Sequence, residues 1–197
     1  MATATSKIGQ NLIFAGLNRI VFVPWVAGSD GKLVKGSTGF CLDDVVADTT
    51  TVQQDDPETN ATECETRDEP IIENITLGSY TFSCESANID ADILEHCLGY
   101  IVKKGEGAAI TAAYAPASYS EKFAEIELQF KNGMSIVLPK IKLASKLDAS
   151  SLKTGIVRGI ISGTAYSTTV EGADDETPIY VSATAVNTVS TTTAGNT

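Results

Sequence analysis

The single histidine, His96, stands between Glu95 and Cys97 and is the chain's one imidazole, the group best suited to acid–base work near neutral pH. A metal centre there would need Cys97, Cys84 or carboxylates to converge on the ring, and neighbours along a helix point in different directions. A structural histidine is therefore expected. Nucleophilic catalysis is supplied no better, because no Ser or Cys lies in a nucleophile elbow and only one residue could act as the base. The acidic groups Asp43-Asp44, Asp55-Asp56 and Asp174-Asp175-Glu176 offer oxygen ligands, but none has the glycine-punctuated alternation of an EF-hand loop. They read as solvated acidic faces. Lys103-Lys104-Gly105-Glu106-Gly107 brings glycines close to lysines without the GxxxxGK(S/T) spacing, so a turn is expected there and not a phosphate cradle. Cys41, Cys64, Cys84 and Cys97 are widely spaced, with no CxxC, and buried thiols are expected in a chain that opens with no apolar signal segment. No catalytic residue, metal ligand or cofactor is expected. The chain reads as a structural or binding protein.

The elements that would carry these residues are mostly strands. Residues 19–26 (RIVFVPWV) form an apolar run in which Pro24 marks an edge or a bulge, followed by a turn at Gly28-Ser-Asp-Gly-Lys. Tyr80, Phe82 and Cys84 are two apart and belong on one face. The clearest period-two pattern is Phe123 to Phe130: Ile126, Leu128 and Phe130 point one way, and Glu125, Glu127 and Gln129 the other. Asn132-Gly133 then supplies a strong hairpin signal, so residues 122–143 are predicted to be a β-hairpin, with Pro139 at a bulge or edge. Strands are also expected over 108–117, 155–167 and 178–186, with a weaker helical turn at 147–152 and a loose polar tail over 187–197.

One helix is predicted, over about residues 90–98. Asn88 or Asp90 can cap it, Ile93, Leu94, Cys97 and Leu98 make one apolar stripe, and Gly99 is placed to end it. About nine residues cannot hold a helix alone, so it must dock on the sheet. The expected fold is mainly β, an antiparallel sandwich or barrel with one short flanking α-helix, in a single domain covering residues 1–197.

Charge is the other signal. The net charge is −11, and between Asp43 and Glu73 eleven acids face one base, Arg67, so this segment carries −10 of it. Phosphate binding needs clustered Lys and Arg, so direct affinity for nucleic acid is disfavoured. No run approaches the roughly 20 apolar residues of a spanning helix. A polar, Thr-rich acidic stretch is suited to lie between molecules, not in a core.

The order of these segments resembles the major tail tube proteins of tailed bacteriophages. The residues that carry the resemblance are the acidic stretch QDDPET…ECE…DEPI, the strand TLGSYTFSCES, and above all IDADILEHCLG. There Ile89, Asp90, Asp92, Ile93, Leu94, Leu98 and Gly99 match the family's short helix. The later PKIKLASKLDASSLKTGIVRGIISGTAYS is similar to the family's second half.

The resemblance implies a tail-tube-like fold, six subunits closing into a ring, and rings stacking into a tube that conducts the genome during ejection. It implies partners of the same assembly: further copies of the chain, initiator, terminator and tape-measure proteins, and DNA in passage, with no membrane. The protein would be made in the bacterial host cytoplasm and end in the virion tail. On that footing Glu125 and Glu127 are candidate lumen-facing acids. The loop bearing Asp48, Asp55, Asp56 and Glu58, or an N-terminal arm over residues 1–16, is the candidate contact between rings. Closing sheets around a ring removes exposed strand edges, and head-to-tail contacts build filaments. The other readings are a head-decoration or neck protein, or a surface β-sandwich binding module with disulfides.

Overall fold

The computed structural model describes residues 14, 16–42, 44–64, 67–106, 109–118, 120–149 and 157–187; over 60–64 and 67–74 it describes the strands only. Among the described residues there are fourteen strands: β1 (Leu17–Ala27), β2 (Leu33–Lys35), β3 (Phe40–Leu42), β4 (Thr51–Gln54), β5 (Glu58–Cys64), β6 (Arg67–Thr76), β7 (Tyr80–Ser86), β8 (Ile101–Lys104), β9 (Ile110–Tyr114), β10 (Lys122–Phe130), β11 (Ser135–Leu143), β12 (Lys146–Asp148), β13 (Arg158–Ala165) and β14 (Tyr180–Ser182). Ten of them make one antiparallel sheet in the order β2-β1-β10-β11-β13-β7-β4, with β3 on β1, β12 on β13 and β14 on β11. The protein is mainly β, as its sequence leads one to expect.

Alternating apolar residues set the inner face of the sheet. Ile20 and Phe22 of β1, Ala124, Ile126 and Leu128 of β10, Leu138, Ile141 and Leu143 of β11, Ile161 of β13, and Phe82 and Cys84 of β7 form one buried cluster. Phe22 meets Phe82 edge-on with ring centroids 6.1 Å apart, although three strands separate β1 from β7. The sheet therefore curls back on itself around the core.

The hairpin of β10 and β11 turns at Asn132-Gly133 and is the spine of this sheet. Its register steps between Ala124↔Ile141 and Ile126↔Leu138, so Pro139 and Lys140 together oppose Glu125 in a bulge. The Trp25 ring nitrogen donates to the Pro139 carbonyl at 3.0 Å. Pro24 sits where one neighbour of β1 gives way to another: β3 pairs with Ile20–Phe22 and β2 with Trp25–Ala27. Its missing N–H thus falls in a gap of the ladder.

The predicted helix is present but shorter and wound more widely. Residues 91–97 are helical, and over Ile93–Cys97 the winding is π, with the Leu98 N–H donating to the Ile93 carbonyl at 3.0 Å. Asp90 accepts from the Ile93 N–H at 2.8 Å, and Gly99 ends the turn at φ 72°. Ile93 and Cys97 enter the core, where docking supplies the stability that so short a helix lacks. Burial raises the thiol pKa of Cys84 to about 12, with Glu85 adding to the shift, and pushes that of Cys97 higher still. Cys41, Cys84 and Cys97 are in no disulfide.

Other expectations need correction. The weaker helical turn over 147–152 is strand at its start, since Leu147 pairs with Gly159 in the β12–β13 ladder; residues 150–156 lie outside the described residues. Lys103 and Lys104 lie in β8, with the turn beginning at Gly105. The strand foreseen over 178–186 shortens to Tyr180–Ser182. Most of the expected arm over 1–16, and the tail beyond Asn187, lie outside the described residues.

Candidate functional site

The acidic segment is built as strand, not as open loop. β4 adds to the sheet beside β7, and β5 and β6 form a two-stranded hairpin that, among the described residues, pairs with no other strand. The β-branched residues Thr59, Thr62, Ile71, Ile72 and Ile75 favour this pairing despite the charge around them. Of the four candidate contact acids, Asp48 lies in a turn at φ 61°, Asp55 joins Ser79 through both backbone and side chain, Asp56 follows it, and Glu58 opens β5 opposite Thr76. All four are exposed. Gly78 fixes the base of the hairpin, because a Cβ there would lie 1.8 Å from the Asp55 carbonyl oxygen.

A second hairpin, β8–β9, likewise forms a sheet of its own. Ile101 is 64% exposed on it, and Ile110 and Tyr114 are also exposed; at the base of the first hairpin Leu77 is 76% exposed. Isolated two-stranded hairpins are marginal in water.

Glu125 and Glu127 do not face open solvent. Their side of the hairpin is polar as the alternation requires, yet Glu125 is 4% exposed and Glu127 0%. The cover is the segment from β14 to Asn187. β14 pairs with Ser135–Val137 at the end of β11 that β13 leaves free. The chain then crosses β10, where the Val186 and Asn187 N–H groups donate to the two oxygens of Glu127 at 2.7 and 2.8 Å. The Asn187 side-chain amide donates to Glu125 at 2.7 Å, and Lys35 from β2 reaches the same oxygen at 2.7 Å. Gln129 donates to the Asn187 carbonyl, and Ser135 to that of Thr184. Val21, Val23 and Val137 complete the floor of this slot. Tyr180, in register with Val137 and so with Glu127, has its phenol pKa raised to about 12 by burial and by the two glutamates. The expectation that this pair is exposed, as a charged lumen wall requires, is thus corrected. Alternation showed which face the pair occupies but not that a segment 60 residues away covers it.

The helical turn also departs from expectation. Asp92, Glu95 and His96 bring one donor atom each to within 4.8 Å of one another, whereas divergence was expected. His96 stacks on Phe40 with centroids 5.8 Å apart, and Glu95 pairs with Lys104 at 3.5 Å. Two of the three thus have structural partners in the fold.

No protein-family model matches the chain, and no curated protein matches it. Among solved structures it is weakly similar to a chain of the anti-feeding prophage baseplate, a cryo-EM structure symmetrised six-fold. The likeness covers 88% of this chain and 97% of that one, at 7% identity and a TM-score of 0.35.

Proposed function

We propose that this chain is a structural subunit of a bacteriophage tail tube, a non-catalytic protein whose copies close into rings and stack around the passing genome. The observation that carries the reading is the pair of free-standing hairpins, β5–β6 and β8–β9, attached to a sheet that ends in short strands. Among the described residues β4 pairs only with β7, and β2 and β3 only with β1. Such edges and exposed apolar residues are liabilities in a monomer and assets in a polymer. The sequence resemblance centred on Ile89–Gly99 supports the same reading.

The acidic charge gives the assembly its solution behaviour. Copies carrying −11 each repel one another, and the Debye length is about 8 Å at physiological salt and about 3 Å at 1 M. Added salt should therefore promote stacking. The hairpin bearing Glu58 and the strand-end acids Asp55 and Asp56 are the inter-ring elements in this reading, and meet lysines and arginines of the next copy.

Negative-stain electron microscopy of the purified chain over a range of concentration and salt, with light scattering for mass, tests the reading. Rings or hollow tubes with a bore wide enough for duplex DNA are the expected result. A strictly monomeric protein at high concentration and 1 M salt would overturn it.

A further inference from the structure

We propose that residues 178–187 form an exchangeable arm, and that the slot over Glu125 and Glu127 accepts the same segment from a second copy of this chain. The inference needs only two copies at high local concentration, and does not depend on their forming a tube.

Recognition in the slot is chiefly of main chain. Glu127 takes two successive backbone N–H groups, Gln129 and Ser135 donate to backbone carbonyls, and β14 adds three paired residues. Asn187 is the side chain read most directly, by Glu125 and Lys35. Nothing in these contacts distinguishes the chain's own segment from a neighbour's, because the second copy presents the same atoms in the same order.

The slot is also built to open. A cover seated on apolar surface would leave that whole surface wet on departure. Here the departing segment leaves two carboxylates and an amide that water solvates readily, so much of the opening cost is recovered. Val21, Val23 and Val137 of the slot, and Ile179 of the arm where it packs against the core, are the exception, and their burial favours recapture of an arm over a lasting open state. The connection from β13, residues 166–179, is mostly exposed. Its two ends are anchored, by Tyr166, whose N–H donates to the Lys140 carbonyl and whose ring meets Phe123, and by Ile179, which packs against the core. Between them it is tied by one bridge, Thr168↔Thr177, and by a turn at Glu171-Gly172 with Gly172 at φ 85°. It is thus a hinge long enough to redirect the arm.

Concentration decides which slot is filled. A short flexible tether holds its own arm at an effective concentration on the order of millimolar, so a dilute monomer closes on itself. Neighbours packed in an assembly reach similar local concentrations, and exchange then costs little because every contact is remade.

Ile136 and Val181 face each other across β11 and β14, and supply the test. Full chains carrying Ile136→Cys alone and Val181→Cys alone are mixed, concentrated, and treated with a short bismaleimide. The unsubstituted chain sets the background from native thiols, and the double variant shows that the pair reacts within one chain. A covalent dimer well above background in the mixture, absent from either variant alone, is the expected result. Asn187→Ala in the chain carrying Val181→Cys should lower its yield several-fold, which a mere proximity of surfaces would not. A mixture at background while the double variant links internally would overturn the proposal, as would a dimer indifferent to Asn187→Ala. Tubes without cross-linking sink the exchange and leave the tube reading intact; cross-linking without tubes does the reverse.

Discussion

Gly163 joins the two halves of the sheet, and replacing it by alanine is a stringent test of how they meet. It lies on β13 between Leu143 of β11 and Phe82 of β7. A Cβ there would stand 2.4 Å from the Ile141 Cγ2 and 2.4 Å from the Lys142 carbonyl oxygen. The Ile141 methyl can rotate away, but the carbonyl belongs to a strand paired with β13. Comfortable separations are about 3.5 Å, so the strands must part by about 1 Å. That stretches hydrogen bonds of about 2.9 Å out of range. Three residue pairs hold β11 to β13, Ile141↔Ala165, Lys142↔Thr164 and Leu143↔Gly163, flanked by bonds from the Tyr166 N–H to the Lys140 carbonyl and from the Ala144 N–H to the Ser162 carbonyl. Losing their bonds at about 1 kcal/mol each, with about 1 kcal/mol of overpacking, gives a destabilisation of about 3–5 kcal/mol. Against a domain stability of about 5–15 kcal/mol that is a large share.

The control lies four residues away on the same strand. A Cβ on Gly159 would meet only Ile89 Cγ1 and Ile93 Cγ2, both at 3.8 Å, which is ordinary contact. Gly159→Ala should be neutral or stabilise by about 0.5 kcal/mol through the unfolded chain. Urea denaturation compares the two, and midpoints at least about 1 M apart are expected. If the variants lie within about 0.5 kcal/mol of each other, the account of this junction is wrong.

Glu127→Gln should replace one of the two acceptors with a donor facing an N–H. The arm then weakens by about 2 kcal/mol, and hydrogen exchange at the Val186 and Asn187 amides speeds up about 30-fold while Ile126 keeps its protection. Alkali should act on the arm through Tyr180 and on the core through Cys84. Tyr180 and Cys84 have pKa values raised from 10.0 and 9.0 to about 12, so the unfolded chain loses these protons before the folded one does. Their contribution is complete below about pH 9 and is lost as the pH rises toward 12, and Tyr180→Phe should flatten the upper part of that fall in urea midpoint. Ile101→Lys should leave the monomer within about 0.5 kcal/mol of the unsubstituted chain, yet raise the concentration needed for assembly in light scattering; an unchanged onset would remove β8–β9 from the interface.

Much of the central sheet was legible because its residues obey short-range rules. Ile126, Leu128 and Phe130 alternate against Glu125, Glu127 and Gln129, and Asn132-Gly133 supplies the turn, so β10 and β11 followed from local chemistry. Tyr80, Phe82 and Cys84 placed β7 on the core in the same way, and Gly99 marked the end of the helical turn. The slot was not legible, because burial of a polar face depends on a partner distant in the chain. Asn187 meets Glu125 only after β11 has been shared between β13 and β14. The acidic hairpin was hidden differently: dense Asp and Glu suggested open chain, while Thr and Ile at strand-like positions carried the stronger signal.

The pairing of β1 with β10 also has a consequence during translation. Ile20 meets Leu128, so the N-terminal strand leaves the ribosome about a hundred residues before its main partner exists. At about 5–20 residues per second the delay is about 5–20 s, during which an apolar strand is at risk of joining another nascent chain on the same message. β2 and β3 are made almost at once and can shelter one edge of β1. Pro24 faces that same edge, where its carbonyl accepts from the Gly36 N–H and its nitrogen offers no proton to a stray strand. The order of synthesis thus lets β2 and β3 cover part of β1 before β10 is made.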